Sequence, residues 1–592
     1  MPDIISPDAG AIERPAVSQD GNRLFGSDAV AEALRDLQIP YIALNPGASY
    51  RGLHDSLVNH LGNSAPQMLL CLHEEHAVAI AQGWAKVTGT PMLAAVHSNV
   101  GLFHATMAIF NAWCDRMPVI VLGATGPVDA AKRRPWIDWI HTAQDQGAIV
   151  RSFVKWDAQP ASPAAAREAL FRAAWLARTA PCGPVYVNLD AAMQEAPLAE
   201  PLPRLDPARY MPRVRASPDP GLVRDAASLL QGAARPLILA GRAGRGEAEW
   251  EARVRLAEAL GARVVTDLKI GAAFPTDHPL HAGQPGVFPV PESAAAIRAA
   301  DVILSLDWVD LGGTLRAAFA GEQPGARIIQ VSLDHVLHNG WSADHQGLPP
   351  VDLFIAAEPD AMVAALLPLL PAGQPAARHW TAPQPDPAAP LAVPHLAATL
   401  FAALGGRPVS LLHLPLSWDG AFWPFRHPLD FLGSDGGGGI GGGPGISVGA
   451  ALALRGSGRL PVSICGDGDF LMGVTALWTA AHYRIPLLIV VANNQSFFND
   501  EVHQERMARE RGRPVENKWI GQRMTDPALD LAGLARAQGA QGFGPVHDAT
   551  DLPAVFAEAI AAVEAGGVAV VDVRVAPGYT PAMASALVRH DK

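Results

Sequence analysis

The chain has 592 residues, of which 49% are hydrophobic and 17% charged, and a net charge of -12. It is globular and too long for one core, so about three domains follow. The acidic balance excludes nucleic acid and anionic membrane as main partners, because both favour basic surfaces, and leaves small molecules.

Cys71, Cys114, Cys182 and Cys465 lie far apart in or beside apolar runs. That spacing fits buried thiols in a reducing compartment rather than a disulfide framework or a zinc site. Residues 1–15 carry no apolar leader core, and no run of 18 uncharged apolar residues occurs. The expectation is a soluble, cytoplasmic protein with no membrane partner.

In chain order, residues 20–195 alternate strand-like runs (YIALNPG, QMLLCL, PMLAAVHS, PVIVLGA, GPVYVNLD) with helical segments such as AAAREALFRAAWLARTA. This alternation marks a parallel sheet with helices on both faces. A Pro-rich stretch at 196–220 reads as a linker, and RPLILAG, ARVVTDL, DVILSL and ARIIQVSL then repeat the theme within 215–370. A second Pro-rich stretch at 371–394 precedes PVSLLHL, LPVSICGDGDF, IPLLIVVANN and VAVVDVRV within 395–582. The fold class is therefore α/β, with three doubly wound parallel-sheet domains.

Three stretches carry chemistry. HEEHAVAIAQGWAKVTG (73–89) places two glutamates at the start of a helix that follows an apolar strand. Helical spacing puts Glu74 on the stripe of Ala77, Val78, Ala81 and Ala85, and Glu75 on that of Ala79, Gln82 and Lys86. An acid on the apolar stripe is structural or functional, whereas Glu75 can sit in water. His73 and His76 flank the pair at a three-residue spacing, not the four of a zinc H-E-x-x-H motif, with no third ligand evident.

The second stretch, GSDGGGGIGGGPGISVGAALAL (433–454), passes from glycines interrupted by Ile440 into a helix, a composition that lets backbone approach a ligand. In the third, Gly466-Asp467-Gly468 ends one strand ahead of an expected helix, GVTALWTAAHYR, and Asn493-Asn494 ends the next strand. Asp467 and Asn494 thus terminate neighbouring parallel strands and can share one octahedral oxygen-ligand site for the cation of a diphosphate.

These residues resemble the thiamine-diphosphate-dependent 2-oxo-acid decarboxylases and carboligases. The GDG…NN pairing is that family's cofactor signature. ALWTAAHYRIP (476–486), HSNVGLFHATMAIFNAW (97–113) and APCGPVYVNLD (180–190) are most similar to the benzoylformate decarboxylase branch, with acetolactate synthases next. The resemblance implies pyrimidine-binding, middle and diphosphate-binding domains in that order, thiamine diphosphate and Mg²⁺ as cofactors, and a homotetramer built as a dimer of dimers.

By the same resemblance, Glu74 meets the aminopyrimidine, and Asp467, Asn494 and the Ser496 carbonyl ligate Mg²⁺. Gly441, Gly466, Gly468 and Asp469 line the cofactor, Ile440 is the apolar wedge that bends it, and His97 transfers protons near the substrate. The implied reaction is non-oxidative decarboxylation of a benzoylformate-like 2-oxo acid, or carboligation. The alternatives are an acetolactate synthase-like or 2-hydroxyacyl-CoA lyase-like enzyme and, from another class, an inactive cofactor-binding protein.

Three positions depart from the pattern. Asp469 stands where the family has Ser or another small residue, Ala48 replaces an expected serine with Ser49 one step on, and LSLDWVDLGG (304–313) lacks the histidine or flavin-side arginine of the two branches. Flavin is not supported. The charge run 499–518 reads as a solvated helix or mobile loop, in a position suited to a lid.

Overall fold

The computed structural model describes residues 13–16, 23–337, 347–579 and 583; most of the N-terminal segment read for a leader lies outside them. Three parallel sheets follow one another along the chain. The first contains β1 (Tyr41–Leu44), β2 (Gln67–Leu70), β3 (Met92–Val96), β4 (Val119–Thr125), β5 (Asp157–Ala158) and β6 (Val185–Asp190), in the order β2-β1-β3-β4-β6-β5. The second contains β7 (Pro236–Ala240), β8 (Arg263–Val265), β9 (Val302–Leu306), β10 (Arg327–Val331) and β11 (Leu353–Ile355), ordered β11-β10-β9-β7-β8. The third contains β12 (Val409–His413), β13 (Leu460–Gly466), β14 (Leu487–Asn493), β15 (Gln541–Val546) and β16 (Val568–Arg574), ordered β12-β13-β14-β16-β15.

The central strands read as unbroken apolar runs because helices cover both of their faces. β4 and β14, for example, are buried at every position. Among the described residues no helix is long and apolar enough to cross a membrane, and all four cysteines are free thiols.

The three sheets share cores. One apolar cluster runs from the middle sheet (Ile238, Leu304, Ile329) into the third (Val462, Val490, Val571), and a second joins the first sheet (Val96, Val121) to the third (Ile489, Val570). At the centre of the second lies the helix Glu74–Thr88 packed on the helix Gly442–Ala453. Gly83 and Gly449 set the crossing. A Cβ on Gly83 would fall 1.9 Å from the Ile446 carbonyl oxygen, and one on Gly449 would fall 1.9 Å from that of Ile80.

The helical-face reading of Glu75 is corrected by this packing. Gln82 and Lys86, on the stripe assigned to water, are wholly buried. Lys86 pairs with Asp115 and donates to the Ser434 carbonyl at 2.6 Å, and Gln82 donates to Asp115 at 3.1 Å and to the Asp435 carbonyl at 3.0 Å. Asp115 and the segment 432–435, which leads into the glycine run, cover the face that a solitary amphipathic helix would give to solvent.

Candidate active site

Glu74 opens its helix where β2 gives way to the sheet edge, and His73 caps that helix, its Nδ1 accepting from the Glu75 N–H at 3.2 Å. Glu74 is 7% exposed, and its Oε2 lies 3.0 Å from Nδ1 of His104, on the neighbouring helix Ser98–Cys114. Glu75 is half-buried rather than solvated, and burial together with the charge of Asp469 pushes its carboxyl up. His76 turns the other way and bonds Thr475 Oγ1 at 2.8 Å.

His104 is the residue the sequence reading missed. With His73 and Glu74 it forms a group whose donor atoms lie within 4.8 Å of one another. The third partner comes from the next helix, thirty residues on, so no local spacing announces it.

His97 follows β3 and occupies the N-cap position of the helix Ser98–Cys114, without a side-chain cap bond. Ser49 Oγ lies 2.8 Å from His97 Nδ1, the Ser49 N–H points at that nitrogen at 3.4 Å, and the Ser98 N–H donates to Ser49 Oγ at 3.2 Å. Nδ1 is therefore the acceptor, and the neutral ring carries its proton on Nε2. Burial lowers the pKa of His97, as does His141 with its ring centroid 4.7 Å away, while Glu74 acts in the opposite sense. The serine one step past the expected position thus orients the histidine.

In the third sheet Gly466 pairs with Ala492, so Asp467 and Asn494 do emerge from adjacent strand ends. The helix after the glycine turn begins at Asp467 itself (Asp467–Gly473), with a second at Ala476–His482, rather than as the single later helix expected. Asp467 accepts from the Gly468 N–H at 2.8 Å and the Ser496 N–H at 3.2 Å; burial still pushes its carboxyl up. Asn493 turns inward to Asp572 at 2.8 Å, whereas Asn494 Oδ1 accepts from the Ser496 N–H at 2.9 Å. The Ser496 hydroxyl donates to Glu501 at 2.5 Å, which is consistent with a carbonyl role. A desolvated carboxyl beside an amide oxygen is a hard-donor pair that a small divalent cation fits.

Asp469 does not share that role. Its Oδ1 accepts from the Gly441 N–H at 2.7 Å and the Gly443 N–H at 3.3 Å, tying the turn after the GDG motif to the start of the glycine-run helix. Gly441 adopts φ +103°, a conformation that an L side chain rarely takes. Ile440, beside it, is 46% exposed in the single chain. The charge run forms the helix Phe498–Glu510 and a turn at Val515–Trp519, laced by Arg523–Glu501 and Lys518–Glu505 ion pairs.

An α/β chain with these two converging motifs defines a cofactor enzyme, and the comparisons specify which kind. The N-terminal TPP binding domain model of thiamine pyrophosphate enzymes matches residues 25–149, the central domain model 223–365 and the C-terminal TPP binding domain model 416–573. The chain belongs to the thiamine pyrophosphate enzymes.

It is 26% identical over 503 residues to acetolactate synthase isozyme 1 large subunit of Escherichia coli K12, covering 82% of this chain and 84% of that one. It is 28% identical over 454 residues to benzoylformate decarboxylase of Pseudomonas aeruginosa, covering 72% and 79%. In structure it is similar to benzoylformate decarboxylase from Polynucleobacter necessarius, with TM-score 0.78, 22% identity, and 94% and 99% of the chains covered.

Proposed function

We propose that the protein is a Mg²⁺- and thiamine-diphosphate-dependent decarboxylase of a 2-oxo acid, releasing CO₂ and an aldehyde. The observation that carries this reading is the position of His97, its Nδ1 held by Ser49, just past a strand end of the sheet that delivers Glu74. When bound, thiamine diphosphate supplies a nucleophilic carbon and an electron sink for loss of CO₂.

The chain's own residues do the rest. Asp467, Asn494 and the Ser496 carbonyl would hold the Mg²⁺, and the glycine run with Ile440 would seat and bend the cofactor. Oε2 of Glu74 is engaged by His104, and Oε1 would be the oxygen that shares a proton with the pyrimidine of a bound cofactor. His97, neutral at pH 7, gives its Nε2 proton to the product carbon, which favours aldehyde release over capture by a second carbonyl.

The exposed apolar side chains Phe103, Ile440 and Met472 support a homo-oligomer in which a second chain covers them. The similarity to an acetolactate synthase over most of the chain supports carboligation as the second reading. A panel of aromatic and aliphatic 2-oxo acids with thiamine diphosphate and Mg²⁺ tests the proposal. CO₂ and aldehyde in equal amounts are expected, with His97→Ala lowering aldehyde formation about 10²-fold. Ligated product alone, or parent-rate aldehyde release by the variant, would replace this reading with the ligase one.

A further inference from the structure

We propose that His413, Cys465 and Asp469 form a binding site for a zinc-type divalent transition metal at the root of the glycine run, distinct from the oxygen donors Asp467 and Asn494. His413 ends β12, Cys465 is the penultimate residue of β13, and Asp469 lies in the first turn of the helix that follows. Their donor atoms lie within 4.8 Å of one another, and the residues are 8%, 0% and 6% exposed. Ligands bound at about 2.0–2.3 Å to one tetrahedral ion stand roughly 3.3–3.8 Å apart, so small side-chain movements close the group around a metal.

The carboxylate shows what is missing. Oδ1 of Asp469 is held by the glycine-run N–H groups, whereas Oδ2 is buried, faces His413 Nδ1 at 3.8 Å and has no donor stronger than the neighbouring Cys465 thiol. A buried carboxylate oxygen with only a weak thiol donor is poorly compensated, and a cation at that point removes the cost. A thiol that ligates a divalent metal does so as the thiolate, so binding at Cys465 releases its proton to solvent. His413 Nδ1–H now donates to the Ile464 carbonyl at 3.2 Å; ligation through Nδ1 gives up this bond and leaves the ring proton on Nε2.

One thiolate, one imidazole and one carboxylate select zinc or cobalt over Mg²⁺, which prefers oxygen donors. A metal here would tie β12 and β13 to the N–H groups of Gly441 and Gly443, stiffening the loop from which Ile440 projects.

Cobalt(II) titration of the metal-free, full-length protein tests this. We expect about one equivalent to bind with a near-ultraviolet thiolate-to-cobalt charge-transfer band that Zn²⁺ then bleaches. Cys465→Ala and His413→Ala should lose the band and bind roughly 10²-fold more weakly, with helical circular dichroism confirming the fold. His104→Ala should retain the band, which separates this site from the His73, Glu74 and His104 group. A parent protein without the band overturns the proposal whatever the variants do, as does a band that survives Cys465→Ala or disappears in His104→Ala.

Discussion

Glu74 and Glu75 share one helical turn and meet different surroundings. Glu74 is held by His104 beneath the strand ends, while Glu75 is half-buried towards Asp469. Glu74→Gln should slow hydrogen–deuterium exchange at C2 of bound thiamine diphosphate by about 10²-fold or more, and Glu75→Gln should leave it within roughly threefold, as followed by NMR after acid quench. Equal losses in both would break the link between burial and role.

His76 permits a pH prediction at the same scale. Burial, with a smaller contribution from His73, lowers its pKa to about 4, against about 6.5 in an unfolded chain. The unfolded state therefore binds the proton first. The stability from neutral His76 is complete above about pH 6.5 and declines on acidification towards 4, by at most about 1.4 kcal/mol per pH unit. Urea unfolding across that window should show the decline, and His76→Gln should make it shallower.

Such residue-level placements were partly legible in the sequence. Spacing on one helix picked out Glu74, and strand ends picked out Asp467 and Asn494. His104, Ser49 and the turn of Asp469 were not legible, because each acts on a partner from another element.

At the scale of elements, the contact between the helices Glu74–Thr88 and Gly442–Ala453 fixes how the two cofactor-binding sheets sit against each other. Gly449 meets backbone rather than a flexible side chain, so an added methyl group must push the helices apart. Gly449→Ala should cost on the order of 3 kcal/mol in unfolding free energy and weaken thiamine diphosphate binding, measurable by calorimetry. An unchanged protein would show that the crossing adjusts freely.

The apolar runs located every central strand, because burial on both faces writes itself into composition. The edge strands β5, β11 and β15 escaped notice. They are two, three and six residues long, and β15 (QGFGPV) carries two glycines and a proline in place of a β-branched run.

For the whole molecule, the Pro-rich stretches suggested three separate bodies, whereas the apolar clusters cross between the sheets. Charge joins the parts as well. Asp334, just after β10, receives Arg116 of the first domain at 2.8 Å and Arg242 of the second at 3.0 Å. Burial opposes ionisation of Asp334, but the charges of Arg242 and Arg116 prevail and hold its carboxyl down to about 2. Asp334→Ala leaves both guanidinium groups without that carboxylate and should destabilise the protein by about 3 kcal/mol, lowering the first thermal transition. A variant that melts with the parent would show that neighbouring carbonyls suffice.

The packing of the Glu74 helix on the glycine-run helix also bears on how the protein is made. Roughly 350 residues separate Thr88 from Gly442, which at a ribosomal pace of about 5–20 residues per second is a wait of roughly 20–70 s. During that interval the first domain has left the exit tunnel with Ala79, Ile80 and Gly83 uncovered. Nascent chains should therefore engage holdase chaperones through this surface until translation reaches the third domain, and synthesis stalled before residue 442 should yield an aggregation-prone product rather than a stable fragment.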